Sequence, residues 1–256
     1  MVQAVDVTKL ITASDASKKA FKTATLLKTL SVNALIIGDS GTGKKSLASF
    51  ILPDASVIDA SNFQELLLVL ESSNQVIITN IDNSPNLKVL IKTIMAKNIR
   101  VIATSKHSLN DDGVDELFSV KFEISPLSER SEDVQLLIEK FSSEALLLFG
   151  ESNSFDAHNL NPDLSQNANS LRRQVMINYL LQDIRDIELM EIVQNYISTK
   201  LGSNNDYKKF LHLYEVPLIR AGLKKFKSQL QLSDKLGLNR NTLRKKIADN
   251  KNYLEG

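Results

Sequence analysis

Residues 32–44 read VNALIIGDSGTGK, and this stretch decides the fold. Its first six residues form the short apolar, β-branched run of a buried strand, and residues 44–52 (KKSLASFIL) have the pattern of a helix. Three of the chain's nine glycines lie within six positions in the loop between them. Glycine permits the backbone angles that turn successive N–H groups inward, and such a nest at a helix start binds phosphate. The stretch therefore predicts a phosphate-binding loop in which Lys44 supplies a positive charge.

Nucleotide phosphate is the expected ligand of this loop, so ATP or ADP is the expected cofactor. The candidate binding residues are those of the loop and the first helical turn: Gly38, Asp39, Ser40, Gly41, Thr42, Gly43, Lys44, Lys45 and Ser46. The general motif has Ser or Thr after the lysine to hold Mg²⁺. Lys45 stands there and cannot ligate a metal, so Mg²⁺ has little support and no metal site is assigned. The alternative is an inherited loop that keeps its fold without binding nucleotide.

Strand-like runs alternate with helices of about ten residues before Pro126, which is typical of an α/β fold with a mostly parallel sheet and helices on both faces. The predicted strands are 32–37, 56–59, 75–81, 100–104 and 121–124, and the predicted helices between them are 44–52, 63–70 and 87–96.

The pattern changes after Pro126, where helices dominate. We expect a helical subdomain over residues 131–201, which the family resemblance given below identifies as a lid, to follow a P-loop α/β subdomain over residues 1–130. By composition, residues 202–206 (GSNND) are a linker, and residues 207–256 form an all-α module.

Charge is divided unevenly along the chain, although the net charge is only +1. Residues 207–256 hold twelve Lys or Arg and four Asp or Glu, a balance of +8, which leaves −7 on residues 1–206. A basic module on an acidic body is typical of a nucleic-acid-binding end. The alternative is a lysine-rich helical face that only contacts solvent.

Composition excludes several other classes of protein. The chain has no cysteine and three scattered histidines, which argues against disulfides, a thiol nucleophile and a zinc site. It shows no signal-peptide pattern, and its apolar runs fall far short of the ~18 residues that span a bilayer. We expect a soluble cytoplasmic protein with no membrane partner.

The basic module has the pattern of a helix-turn-helix. Gly237 ends one helix, Asn239 caps the next, and Leu243 and Ile247 face inward from residues 240–248. An outer face with Arg, Lys, Asn and Thr suits entry into the DNA major groove. The candidate contacts to double-stranded DNA are Asn239, Arg240, Asn241, Thr242, Arg244, Lys245 and Lys246. The alternative is a helical hairpin that docks on the body of the protein.

Several motifs in this order resemble the NtrC-type bacterial enhancer-binding proteins, the sigma-54 activators. They are GDSGTGK (38–44), RVIATSKHSL (100–109), PLSERSEDV (126–134), SLR (170–172) and LSDKLGLNRNTLRKK (232–246). The resemblance implies an AAA+ P-loop sheet with a small helical lid and a C-terminal Fis-type helix-turn-helix domain. It further implies that Arg172, or else Arg173, contacts nucleotide and that Ser105 is the sensor I residue. It also implies that two copies of the chain form a homodimer through residues 207–226.

The chain departs from this family at the parts that hydrolyse ATP. The acidic Walker B positions correspond to Thr79 and Asn80, and no arginine that could act as a finger occurs between Arg100 and Arg130. Residues 45–75 contain no glycine and hence no GAFTGA-like loop for sigma-54. We therefore assign no catalytic residue and expect an AAA+ domain that at most binds nucleotide.

The expected function is therefore a DNA-binding transcriptional regulator with a degenerate ATPase domain. One alternative is an active ATPase that acts on RNA polymerase carrying sigma-54. Another is an antagonist that co-assembles with a homologous intact AAA+ regulator and does not bind DNA.

Overall fold

The structure, a computed structural model, describes residues 10–150 and 160–254. Residues 1–9 of the expected first subdomain, 151–159 of the expected lid and 255–256 of the tail lie outside the described residues. The chain divides into two compact units, Met1–Asp183 and Ile184–Gly256.

The first unit contains the five strands that the described residues form, and all of their pairings are parallel. Their order is β2-β3-β4-β1-β5. The expected α/β class is thereby confirmed. The strands are β1 (Ala34–Ile37), β2 (Ser56–Asp59), β3 (Gln75–Thr79), β4 (Arg100–Ser105) and β5 (Val120–Glu123).

Helices cover both faces of this sheet because buried strands alternate their apolar side chains between two cores. Leu35 faces a core with Leu66 and Leu90, whereas Ile36 faces a second core with Leu27 and Ile51. The helices are α1 (Asp15–Thr29), α2 (Lys44–Ile51), α3 (Phe63–Ser72), α4 (Leu87–Lys97) and α5 (Asp112–Leu117).

Two further helices of the first unit, α6 (Ser131–Phe149) and α7 (Ala168–Leu181), form a small core of their own. Ile138 and Phe141 of α6 pack with Leu171 and Val175 of α7. This pair corresponds to the expected helical lid as far as Leu181.

The second unit begins at Ile184, so it includes α8 (Asp186–Ser198), which the sequence placed with the lid. Residues 202–206, the expected linker, lie inside this unit. The backbone N–H groups of Gly202 and Ser203 donate to the Asp206 carboxylate at the start of the next helix. The composition of GSNND thus marks a turn between two helices of one unit.

The remaining helices are α9 (Asp206–Phe226), α10 (Gln229–Leu236), α11 (Arg240–Asp249) and α12 (Lys251–Leu254). Ile219, Leu232 and Leu243 form their buried core. α9 continues through Pro217 without interruption. None of the helices in the described residues has the length and apolarity needed to cross a bilayer.

Candidate functional site

The carboxyl ends of the five strands share one edge of the sheet because all the strands are parallel. A cavity of about 800 Å³ lies at this edge. It is lined by residues at or just after the carboxyl ends of the strands, by residues of α1, α2, α6 and α7, and by the residues that precede α1. Ligands of open parallel sheets bind at this edge, so the cavity is the candidate site.

The predicted phosphate loop lies between β1 and α2, and it borders this cavity. Gly41 and Gly43 have φ angles of +78° and +102°, which side-chain-bearing residues rarely adopt. α2 begins at Lys44 with no side-chain cap. The first N–H groups of a helix that starts in this way are suited to an anion.

Lys44 is buried, and its ammonium donates to the backbone carbonyls of Gly38 and Asp39. Burial lowers the pKa of Lys44 below its ordinary value, while the carboxylates of Asp82 and Asp39 act in the opposite direction. The lysine is therefore held within the loop, where it can serve as a fixed charge for phosphate oxygens.

Basic side chains outnumber acidic ones around the cavity, which fits a polyphosphate ligand. The basic ones are Lys44, Lys45, Lys106, Arg130, Lys140 and Arg172, and the acidic ones are Asp59, Asp82 and Asp133. Arg172, the predicted nucleotide contact, lines the cavity, and its Nε donates to Glu144 over 2.8 Å. Arg173, the alternative, is not among the lining residues.

The loop is held from the side of α6 and α7 by residues that the sequence did not assign. Arg130 is buried and donates from Nη2 to the carbonyl of Thr42 over 3.0 Å. The side chain of Asn167 donates to the carbonyl of Ser40 over 2.9 Å, and the N–H of Ala168 donates to Gly41 over 3.2 Å. The polar stretch around residue 167 reads as a loop, so its sequence gave no signal of this contact.

Thr79 and Asn80, the expected Walker B positions, face a carboxylate from the neighbouring strand. Asn80 Nδ2 and Thr79 Oγ1 donate to Asp59 Oδ2 over 2.6 and 3.2 Å. Partial burial raises the pKa of Asp59, but hydrogen bonds from Ser61, Asn80 and Thr79 lower it by more. The pKa of Asp59 therefore lies below its ordinary value. Sequence reasoning missed Asp59 because the parallel register pairs it with Thr79, twenty positions later.

Two further carboxyl-end residues differ from the expectation. Ser105, the expected sensor, is buried and donates from Oγ to the carbonyl of His107, whereas its neighbours Thr104 and Lys106 line the cavity. Asp82 lines the cavity and accepts from the N–H of Lys106 over 3.2 Å. Asp82 lies three residues beyond the end of β3, and the sequence analysis assigned it no role.

Apolar side chains line another part of the same cavity. Leu10 and Ile11 precede α1, and Leu137 and Phe141 come from α6. Apolar walls of this kind pack against the flat face of a base, with the polar groups left to fix orientation. The cavity thus combines the two surfaces that a nucleotide needs.

The second unit carries the expected basic face on α11. Asn239 caps this helix by accepting from the N–H of Asn241 over 2.9 Å, and Gly237 ends α10 with a φ of +64°. Leu243 is buried, as expected. The exposed candidate residues are Asn239, Arg240, Asn241, Thr242, Arg244 and Lys245.

Lys246 differs from the other candidate residues of this face. It is only partly exposed and forms an ion pair with Glu215 of α9. Its contact to DNA stays a prediction, and its partner Glu215 lies 31 positions upstream in the sequence.

No protein-family model matches the chain, and no curated protein matches its sequence. Among solved structures, NtrX from Brucella abortus in complex with ADP is 16% identical, with a TM-score of 0.63 over 95% of this chain and 69% of that chain. The same protein in complex with ATP is 16% identical, with a TM-score of 0.59 over 94% and 69%. A RuvB mutant from Thermotoga maritima is 14% identical, with a TM-score of 0.53 over 92% and 86%. These likenesses show the fold alone, which this chain shares with NtrX and RuvB.

Proposed function

We propose that this chain is a nucleotide-binding, DNA-binding regulator related to the NtrC-type regulators. Its first unit binds ADP or ATP, and its second unit binds double-stranded DNA through the exposed face of α11. The observation that carries the proposal is the glycine-rich loop, with buried Lys44, at the carboxyl edge of a parallel sheet.

Different residues serve the parts of a bound nucleotide. The loop N–H groups and Lys44 would hold the terminal phosphates, and Arg172 of α7 would approach them from the side of the lid. Leu10, Leu137 and Phe141 supply the apolar surface for the base. The NtrX structures in complex with ADP and ATP support this assignment by likeness of fold.

Hydrolysis is not part of this proposal. Thr79 and Asn80 offer no carboxylate where the family aligns the attacking water, and Asp59 accepts hydrogen bonds from both of them. The ATPase alternative is favoured by a different observation, namely that Asp59 and Asp82 both line the cavity. Phosphate release by the wild-type chain distinguishes the two, because only the alternative gives turnover above the buffer control.

The second unit would bind the partners of the proposed regulator. Double-stranded DNA meets the basic face of α11, and a second copy pairs through residues 207–226. Tyr207 and Tyr214 of α9 are strongly exposed in the single chain, at 81% and 69%, which supports a partner there. RNA polymerase with sigma-54, or an intact AAA+ homologue, would be the partner under the alternative functions.

Lys44→Ala is expected to weaken ADP binding by about 30-fold or more, because a charge-assisted hydrogen bond to phosphate contributes about 2 kcal/mol. Isothermal titration calorimetry of the full chain measures this change. Lys88→Ala on α4, an exposed lysine outside the cavity, is the matched control and should bind as the wild type does. Equal binding by both variants would refute the assignment of the loop.

Arg244→Ala is expected to weaken binding to a random-sequence duplex of about 30 base pairs by about tenfold. It should also reduce the slope of log K against log salt by about one, because one fewer phosphate counterion is released. Fluorescence anisotropy over a salt series measures both changes. Lys88→Ala, an exposed lysine of α4 outside the second unit, is the control, and an equal loss in that variant would contradict a role for the α11 face.

A further inference from the structure

Lys45 occupies a decisive position in the cavity. It lies in the first turn of α2, where the general motif has the hydroxyl that holds Mg²⁺. Its side chain is exposed, it lines the cavity beside Lys44, and the described residues offer it no hydrogen bond or ion pair. A lysine therefore replaces the hydroxyl that the general motif supplies to the metal.

The charge of the cavity points in the same direction. Six basic side chains and three acidic ones line it, and two of the basic ones, Lys45 and Lys106, are exposed lysines. Mg²⁺ removes two negative charges from a nucleotide when it binds. A cavity with this excess of positive charge is better matched to the free polyphosphate than to its metal complex.

All three carboxylates of the cavity accept hydrogen bonds, and two of them accept from several donors. Asp59 accepts from Asn80, Thr79 and Ser61, and Asp133 accepts from the residues around the start of α1. Within the described parts of the chain, no three His, Cys, Asp or Glu side chains come together as a metal site. The side chains present therefore do not form the Mg²⁺ site of the general motif.

We propose that this site binds the free nucleoside di- or triphosphate without Mg²⁺, and that the ammonium of Lys45 supplies the charge that the metal supplies in related folds. The inference rests on the proposed nucleotide binding and adds which ionic form of the ligand is recognised. Binding without Mg²⁺ also agrees with a site that does not hydrolyse the nucleotide, because a lysine neutralises phosphate charge but does not activate water as a metal does.

Asp82 provides the strongest competing reading. Its Oδ1 is buried and has no hydrogen-bond partner in the described residues, and its Oδ2 accepts from the N–H of Lys106. A single carboxylate together with phosphate oxygens is enough to hold Mg²⁺ at some sites. Asp82→Asn therefore belongs in the test.

The test is calorimetric titration of ADP and of ATP into the full chain, once with excess EDTA and once with excess Mg²⁺. We expect the wild type to bind at least as tightly in EDTA as in Mg²⁺. Lys45→Ser should bind about tenfold more weakly in EDTA and recover in Mg²⁺, because it loses the ammonium and regains the hydroxyl of the motif. Lys88→Ser is the control and should follow the wild type.

Three outcomes overturn the inference. If Mg²⁺ tightens wild-type binding tenfold and Asp82→Asn abolishes that gain, Asp82 holds a metal and the inference fails while the proposed function stands. If Lys45→Ser equals the wild type in EDTA, Lys45 does not neutralise the phosphates. If the wild type binds neither nucleotide in either buffer, the proposed nucleotide binding fails as well. Thermal melting of each variant confirms that it is folded.

Discussion

Asp133→Ala is expected to lower the free energy of unfolding of the first unit by about 3–5 kcal/mol, because it removes one partner of a buried ion pair. Asp133 is 1% exposed and lies in the first turn of α6. Its carboxylate accepts from the N–H groups of Ala13 and Ser14 over 2.7 and 2.9 Å and from the hydroxyls of Ser14 and Ser17. The Asp133 side chain of α6 thus holds the start of α1 in place.

The largest part of this loss comes from the charge that is left behind. Arg130 lies 3.7 Å from Asp133 and is buried. Burial lowers the pKa of Arg130, and the Asp133 carboxylate acts in the opposite direction. Without Asp133, the guanidinium keeps only its bond to the Thr42 carbonyl, and the donors at Ala13 and Ser14 lose their acceptor.

Hydrogen–deuterium exchange of peptides from β1 and β4 measures this loss, because central strands exchange by global opening of their unit. Protection should fall by about a hundredfold or more in Asp133→Ala. Glu139→Ala, at an exposed position of the same helix, should change the free energy of unfolding by about 0.5 kcal/mol at most. The double variant Asp133→Ala with Arg130→Met should be more stable than Asp133→Ala alone, and a further loss would contradict the unpaired-charge explanation.

The sheet was predictable because its signals are local. The run 56–59 coincides with β2, and the other four strands were placed to within two residues, since apolar β-branched runs and glycine turns need no distant partner. α5 was missed because it has only six residues and contains Gly113. α8 lies within the helical region predicted for residues 131–201, but which unit it joins depends on tertiary contacts that its own pattern does not specify.

The candidate site was only partly predictable, for the same reason. The phosphate loop is contiguous in the sequence and encodes its own backbone. Three contacts at the site join residues that are far apart in the sequence. Asn80 donates to Asp59 across 21 positions, Arg130 to Thr42 across 88, and Asn167 to Ser40 across 127. A single sequence does not specify such pairings, because each polar side chain would be equally consistent with an exposed loop.

Gly41→Ala is expected to weaken ADP binding by about a hundredfold or more and to detach the loop from the start of α7. Two penalties combine in this variant. The φ of +78° costs a residue with a side chain about 1–2 kcal/mol. The added Cβ would also lie 2.4 Å from the carbonyl oxygen of Gln166 and 3.2 Å from the N–H nitrogen of Asn169, and backbone atoms cannot move aside as a side chain would.

Gly43→Ala separates these two penalties. Gly43 has a φ of +102°, yet an added Cβ there would meet no atom within 4 Å. This control variant suffers the conformational penalty alone, so its ADP binding should weaken by about tenfold. The difference between the variants therefore measures the collision with residues 166–169.

Calorimetry with ADP and hydrogen exchange of the peptide around Ala168 provide the two readouts. In Gly41→Ala the N–H of Ala168 loses its acceptor, the Gly41 carbonyl, and its peptide should exchange faster. In Gly43→Ala that contact remains and exchange at Ala168 should stay close to the wild-type rate. Equal effects of the two variants on both readouts would show that the loop tolerates the collision, and that the contact with α7 does not shape the nucleotide site.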